Sequence, residues 1–449
     1  MQIKHLSCIA LAVSAALSQS AMGALVDDQA QAKGLLEDSS LNVHLRNYYF
    51  NRDAKQGERD NRDWSQGAIA HYNSGFTQGT VGVGVDAWGQ LGLKLDGQSR
   101  YAGTGNLPVD RHGHPDRSSA SAGASIKMRA GQTQLRYGNM QTEAPVFATS
   151  HSRLLPQTAT GFSLQSSDLD NLDLDVGHYT ATSDSVTTSN RHSIHANTAG
   201  VSSSSATFAG ATYQLSPTWR STLYGARLDD VWNQYYFNNN YVLGLSGPDS
   251  LAFDANLYRT LDQGRAKAGA INNTAWSLAS TYSFNKAHAL TLSYQKIHGN
   301  TPFDLIGMGD NRTNEDCSYR AGETCSSMNL ANAAQFSDFS GPNERSWGLT
   351  YNLDMAPLGV PGLSFTTRHM RGTGIDGSKT PYNSAYAGLY GENGRHHETN
   401  FETRYIVQSG AAKDLSVRLR QAFHRANLDQ GEKNVNEVRL ILDYPLNLI

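Results

Sequence analysis

Glu437–Tyr444, EVRLILDY, decides the fold. Successive side chains of a strand point to opposite faces, so Val438, Leu440, Leu442 and Tyr444 share one face. Glu437, Arg439, Ile441 and Asp443 share the other. The same alternation sets Val417, Leu419 and Phe423 against Ser416, Arg418 and Arg420, and sets Phe401, Thr403, Tyr405 and Val407 against Asn400, Glu402, Arg404 and Ile406. Further upstream, Trp276, Leu278, Tyr282 and Phe284 share a face. A short turn at Asn285 to His288 then leads into Leu290, Leu292 and Tyr294. That pair reads as a β-hairpin.

Half-apolar strands occur both in soluble sandwiches, where the polar face meets bulk water, and in membrane barrels, where the apolar face meets lipid. Three features favour the barrel. Lys4 and His5, the apolar run Ile9 to Leu17, and small residues at Ala21, Gly23 and Ala24 form a secretory leader, residues 1–24, too short for a transmembrane helix. Aromatics recur at strand ends (Trp276, Phe284, Trp347, Tyr351, Tyr444), where interfacial girdles sit. Connections alternate in length: Asn285 to His288 and Asp354 to Gly362 are short, Gly299 to Glu344 and Gly372 to Arg395 long. Short periplasmic turns with long external loops are the pattern of outer-membrane barrels.

No segment offers the ~18 consecutive apolar residues of a transmembrane helix. In hydrocarbon every backbone amide must be paired, so strands cross only as a closed sheet. Residues 25–449 give room for about 16 to 18 tilted antiparallel strands of about 9 to 11 residues. The net charge of -3 and the absence of a basic tail argue against a nucleic-acid partner. Cys8 leaves with the leader. Cys317 and Cys325, in a polar loop, are expected to form one disulfide in an oxidising compartment. No further metal ligands stand near them, and no cofactor is expected.

Several long stretches resemble the OprD family of outer-membrane porins. They are KGLLEDSSLNVHLRNYYFNRD (Lys33 to Asp53), FTQGTVGVGVDAWGQLGLKLDG (Phe76 to Gly97), APVFATSHSRLLPQTATGF (Ala144 to Phe162), ERSWGLTYNLD (Glu344 to Asp354) and the C-terminal HHETNFETRYIVQSGAAKDLSVRLRQAFHRANLDQ with VRLILDYPL. The resemblance implies an 18-stranded, monomer-sized pore narrowed by inward-folded loops. One wall would carry a ladder of basic side chains, and the solutes would be small carboxylates such as amino acids or aromatic acids. The CSYRAGETC insert departs from the family pattern and bears on the outer vestibule.

Strand parity turns into a list of pore residues. A charge on the lipid face costs roughly 2–4 kcal/mol at mid-depth. The interleaved Arg368, Arg404, Arg418, Arg420 and Arg439 should therefore face inward, as should Arg46, Arg52, Lys94, Lys127 and Arg129 near the N-terminus. First and last strands pair when a barrel closes, so the terminal groups can share a wall. Such a row focuses a positive field, and a carboxylate can pass between successive guanidinium forks. Some of these arginines should instead pair with Glu402, Glu437 and Asp443 as structure. By resemblance, Ala144 to Gly161 carries eyelet residues Ser152 and Arg153. Asn332 to Asn343, with Ser337, Asp338 and Ser340, would form the opposing side, and Asp338 would meet the ammonium group of an amino acid.

Two other classes compete with the porin. A barrel hydrolase would need a triad whose members meet only in space, and the chain has no G-x-S-x-G elbow, H-E-x-x-H motif or Walker loop. His396 and His397 beside Glu398 do not suffice for a metal site. A non-conducting anchor or adhesin would need a filled lumen, whereas Gly82, Gly84, Ser416 and Ala422 also fall on the inward face. The expected partners are therefore carboxylate solutes, outer-membrane lipid and lipopolysaccharide, with the chain a monomer or loose trimer and not an enzyme.

Overall fold

A computed structural model describes residues 25–110, 112–309 and 328–449. The expected leader, together with Cys317 and Cys325, lies outside the described residues. Eighteen strands form one sheet. The first five are β1 (Ser40–Ala54), β2 (Asn61–Asn73), β3 (Gly82–Asp96), β4 (Ser118–Ala130) and β5 (Thr133–Met140). Next come β6 (Thr158–Leu169), β7 (Leu172–Ser183), β8 (Ala206–Ser216), β9 (Trp219–Leu228) and β10 (Trp232–Gly244). β11 (Ser250–Asp262), β12 (Asn272–Phe284), β13 (His288–His298) and β14 (Arg345–Asp354) follow. The last are β15 (Leu363–Ile375), β16 (Gly394–Ile406), β17 (Ser416–Ala426) and β18 (Val435–Asn447).

Each strand pairs antiparallel with its sequence neighbours. β1 also pairs with β18, from Asn42 opposite Asn447 to Ala54 opposite Val435, and that pairing closes the barrel. Closure leaves no edge, as a hydrocarbon environment demands. The outward face carries exposed apolar and aromatic side chains such as Leu419, Phe423, Phe401 and Tyr405, with Leu91, Leu93, Leu95, Ile126 and Met128 on β3 and β4. Turns at the end bearing both termini are short, for example residues 131–132, 170–171 and 285–287, whereas 184–205, 299–344 and 376–393 at the other end are long. Several strands exceed the expected length, β1 reaching 15 residues and pairing along its length with β2 and β18.

The inward glycines do not mark open lumen. A Cβ on Gly82 would fall 2.4 Å from Gln29 of the N-terminal segment, and one on Gly84 would fall 2.6 Å from the Gly75 carbonyl. These positions are small because the barrel's terminal end is packed with residues 26–38. Lys127 and Arg129 serve that packing. Lys127 donates to the Ser74 carbonyl at 2.8 Å and pairs with Asp86, while Arg129 donates to Gln29 and lies 4.0 Å from the Phe76 ring centroid. They belong to the plug of this end.

Loop 141–157 folds into the barrel against β1–β3. Leu154 and Leu155 are fully buried with Tyr48, Phe50, Ile69, Leu107 and Ile441, an apolar cluster inside the lumen. Gly67 and Gly92 face each other across β2 and β3, and a Cβ on either would press within 3.2 Å of Leu154. Their missing side chains form the seat for the loop. Replacing a fully buried leucine by alanine costs about 2–5 kcal/mol. Leu154→Ala should therefore make loop 141–157 cleavable by protease at a denaturant concentration that leaves the unaltered chain intact. Equal cleavage of the two would show that the cluster does not hold the loop.

Candidate functional site

Strand register arranges the basic side chains into rungs. From the loop end downward, Arg368 stands level with Asn400, Ala422, Glu437 and Arg52. The next rung is Glu402, Arg420, Arg439 and Phe50, then Arg404, Arg418, Ile441 and Tyr48, then Ser416, Asp443 and Arg46. Rungs are two residues apart, about 6.8 Å along the strand. Parity alone sets this direction: Phe401, Tyr405, Leu419 and Leu440 point outward, so their alternates point in. On this wall seven arginines (Arg46, Arg52, Arg368, Arg404, Arg418, Arg420 and Arg439) meet four acids, Glu398, Glu402, Glu437 and Asp443.

The pairings sort these arginines into two groups. Glu437, wholly buried, is shared by Arg52, whose Nη2 lies 2.7 Å from its Oε2, and by Arg439. Arg52 is 2% exposed and Arg439 1%, so both are out of reach of a passing solute. The guanidinium carbons of Arg52, Arg439 and Arg153 lie 5.1, 5.0 and 5.6 Å from the ring centroid of Phe50. Here geometry corrects the expectation that Arg439 and Arg52 line the path. Breaking such a buried ion pair leaves an uncompensated charge, so the two arginines hold the wall together. Arg418, Arg420 and Arg46 keep part of their surface in the lumen. Arg418 forks onto Glu402 at 2.7 and 2.8 Å, Arg420 reaches the same carboxylate at 3.1 Å, and Arg46 lies 2.7 Å from Asp443. Arg404 donates to Ser416 at 3.1 Å. Arg368 donates to the Ala333 carbonyl at 3.0 Å, tying a rung to a loop.

The remaining sequence candidates scatter. Lys94 faces inward on β3 but donates to the Pro115 carbonyl at 3.1 Å, two strands from β1. Arg153 is buried. Gly105 approaches it so closely, with φ of 78°, that a Cβ would fall 2.7 Å from Arg153 Nε. Only glycine takes that backbone freely. Ser152 is exposed, and its carbonyl accepts from the Tyr48 hydroxyl at 3.1 Å, while Arg46 donates to the carbonyls of His151 and Arg153. The 141–157 loop therefore lies along the ladder's own wall.

Segment 332–343 crosses the interior. Asn332 is held by Ser293 and Ser346 on β13 and β14. The backbone N–H groups of Gln335, Phe336 and Ser337 all donate to the Glu398 carboxylate on β16, at 3.0, 2.9 and 2.9 Å. The Gln335 side chain reaches Glu437 on β18 at 2.9 Å. The segment then returns, and Gln295 on β13 donates to the carbonyls of Asp338 and Phe339. It rests on the loop end of the ladder rather than facing the whole of it across the pore, and Asp338 and Ser340 are half-buried on its returning limb. Sequence reading missed Glu398 as the anchor. A signal existed: parity puts it inward, and its strand neighbours in register, Met370 and His424, supply no arginine or lysine. An inward acid with no arginine or lysine opposite it needs further donors, and here Asn400 on its own strand supplies one at 2.7 Å and the crossing segment the rest.

A closed 18-stranded barrel with an apolar outer band and a charged interior crossed by inward-folded loops is a multi-pass outer-membrane porin. A family model described as outer membrane porin, OprD family, matches residues 33–448. The chain belongs to the OprD family. It is 53% identical to Porin D of Pseudomonas aeruginosa over the full length of both chains, and 32% identical to the porin-like protein GalP of Pseudomonas putida over 96% of this chain and 97% of that one. Among solved structures, Pseudomonas aeruginosa OprD superposes with a TM-score of 0.83 at 49% identity, covering 95% of this chain and all of that one. Pseudomonas aeruginosa OpdK, crystallised with vanillate, gives 0.80 at 29% identity over 92% of this chain and all of its own.

Proposed function

We propose that this porin passes small carboxylate-bearing solutes, amino acids or aromatic acids, along the arginine wall and through the gap left by its two inward loops. The observation that carries the reading is the excess of arginines over acids on successive rungs. Arg404, Arg418, Arg420 and Arg46 keep surface in the lumen. Rows of cations within low-dielectric walls raise the local concentration of anions, and several spaced contacts release a solute better than one deep one. The vanillate in OpdK, an aromatic carboxylate, is consistent with this chemistry. Ser152 and Ser340 supply neutral donors beside the path. Competitive uptake into liposomes holding the purified chain tests the proposal: labelled carboxylates should enter faster than amides of matched size, and equal rates would overturn it.

Asp338 adds a zwitterion filter, its carboxylate meeting the ammonium group while the carboxylate of the solute runs along the arginines. Asp338→Asn should lower uptake of cationic relative to anionic amino acids on the order of fivefold, since a single charge contact in water is about 1 kcal/mol. An unchanged ratio would remove the filter.

A further inference from the structure

Behind the crossing segment, at the loop end, three acceptor atoms converge. His396 on β16 and His424 on β17 are wholly buried, and Glu432 in the β17–β18 loop is largely so. His396 Nδ1 lies 2.9 Å from His424 Nε2, and Glu432 Oε2 lies 3.5 and 3.2 Å from these two atoms. Among the described residues this is the one group of three His, Cys, Asp or Glu side chains able to hold a metal ion.

The outer partners fix which nitrogens carry protons. His396 Nε2 faces Glu344 Oε1 at 2.6 Å, and His424 Nδ1 faces the Lys433 carbonyl at 2.8 Å. A carboxylate and a carbonyl can only accept, so both of those nitrogens donate. The lone pairs of the other two then point at each other and at the Glu432 carboxylate. Lone pairs in a buried triangle repel unless a cation lies among them. A tetrahedral Zn²⁺ with bonds of about 2.0–2.1 Å spaces its ligands about 3.3–3.4 Å apart, within a few tenths of an ångström of the observed triangle. An imidazole that donates its second N–H to a carboxylate or carbonyl is the usual arrangement of a metal-ligating histidine.

We infer that His396 Nδ1, His424 Nε2 and Glu432 form a binding site for a divalent transition-metal ion, Zn²⁺ being the best match, with Glu344 and the Lys433 carbonyl orienting the two imidazoles. Two histidines and a carboxylate are a borderline-soft set that suits zinc over calcium or magnesium. The ion would tie the β17–β18 loop to β16 and β17. The rings of Phe339 and Phe336 lie 4.1 and 4.9 Å from His396 and His424, so the site also underlies the crossing segment.

The test is metal binding by the purified, detergent-solubilised chain after chelator treatment. One equivalent of Zn²⁺ should be retained through dialysis, and Co²⁺ in its place should give the visible absorption of a tetrahedral site. Glu344→Gln, which leaves the ligands in place, should weaken Zn²⁺ binding 10–100-fold, and Glu432→Gln should weaken it more. Heat-modifiable gel migration checks that each variant is folded. In the unaltered chain, X-ray absorption of the retained Zn²⁺ should also show two imidazole ligands and no sulfur, a readout that does not depend on any variant folding. Failure of the unaltered chain to retain either ion, or Zn²⁺ retained without two imidazole ligands, would overturn the site. In that case a proton alone fills the triangle.

Discussion

Glu398→Ala is expected to raise the single-channel conductance of this porin and to make its open level noisier. The Glu398 carboxylate is wholly buried and accepts the backbone N–H groups of three successive residues, Gln335 to Ser337. Each bond to a charged group contributes about 1.5–3 kcal/mol net. Removing the acceptor leaves three buried donors unpaired, and the segment regains them most readily by leaving the wall for water. The segment is what crosses the lumen, so its release widens the passage. The barrel itself is held by backbone strand pairing in which the Glu398 side chain takes no part, so the variant should still insert. Glu398→Gln keeps the volume and one acceptor oxygen and should fall between the two. Planar-bilayer recordings of all three decide the matter. A conductance for Glu398→Ala equal to that of the unaltered chain would mean that the segment is held by other contacts or does not constrict the pore.

Replacing Arg404, Arg418 and Arg420 together by glutamine is expected to abolish the anion preference proposed for this porin. Seven arginines and four acids occupy this wall, and removal of these three leaves the signs balanced. Fields of this kind change local ion concentration and entry rate by roughly 10- to 1,000-fold. Uptake of carboxylates should therefore fall on the order of tenfold or more, and the reversal potential in a KCl gradient should move toward cation preference. None of the three belongs to the buried Arg52–Glu437–Arg439 set, whose disruption would confuse loss of charge with loss of structure. Glu402 loses two arginines in the triple variant. Adding Glu402→Gln controls for the unpaired acid. Selectivity unchanged in both variants would show that the ladder holds the wall together without guiding solutes.

The strands, their inward faces and the closure of β1 on β18 could be read directly from residues such as Val438, Leu440 and Leu442, because side-chain direction in a strand is a local property with period two. The inward direction of the arginines on β15 to β18 and β1 followed from the same rule. What could not be read was the state of each rung. Arg439 and Arg418 share one pattern in the sequence, yet the first is sealed against Glu437 and the second keeps surface in the lumen.

The chain alone thus determined that this is a closed membrane barrel and which side of each strand meets hydrocarbon, since lipid imposes one penalty on every outward charge regardless of fold details. Only the tertiary structure decided which arginines are buried and which keep exposed surface inside the barrel, where the loops seat and why Gly67, Gly92 and Glu398 stand where they do. Many of those outcomes depend on contacts between residues far apart in the chain, such as Ser337 with Glu398 and Arg52 with Glu437. Such contacts carry no periodic trace in the sequence, because a loop's resting place is set by the shape and charge of a wall assembled from many strands.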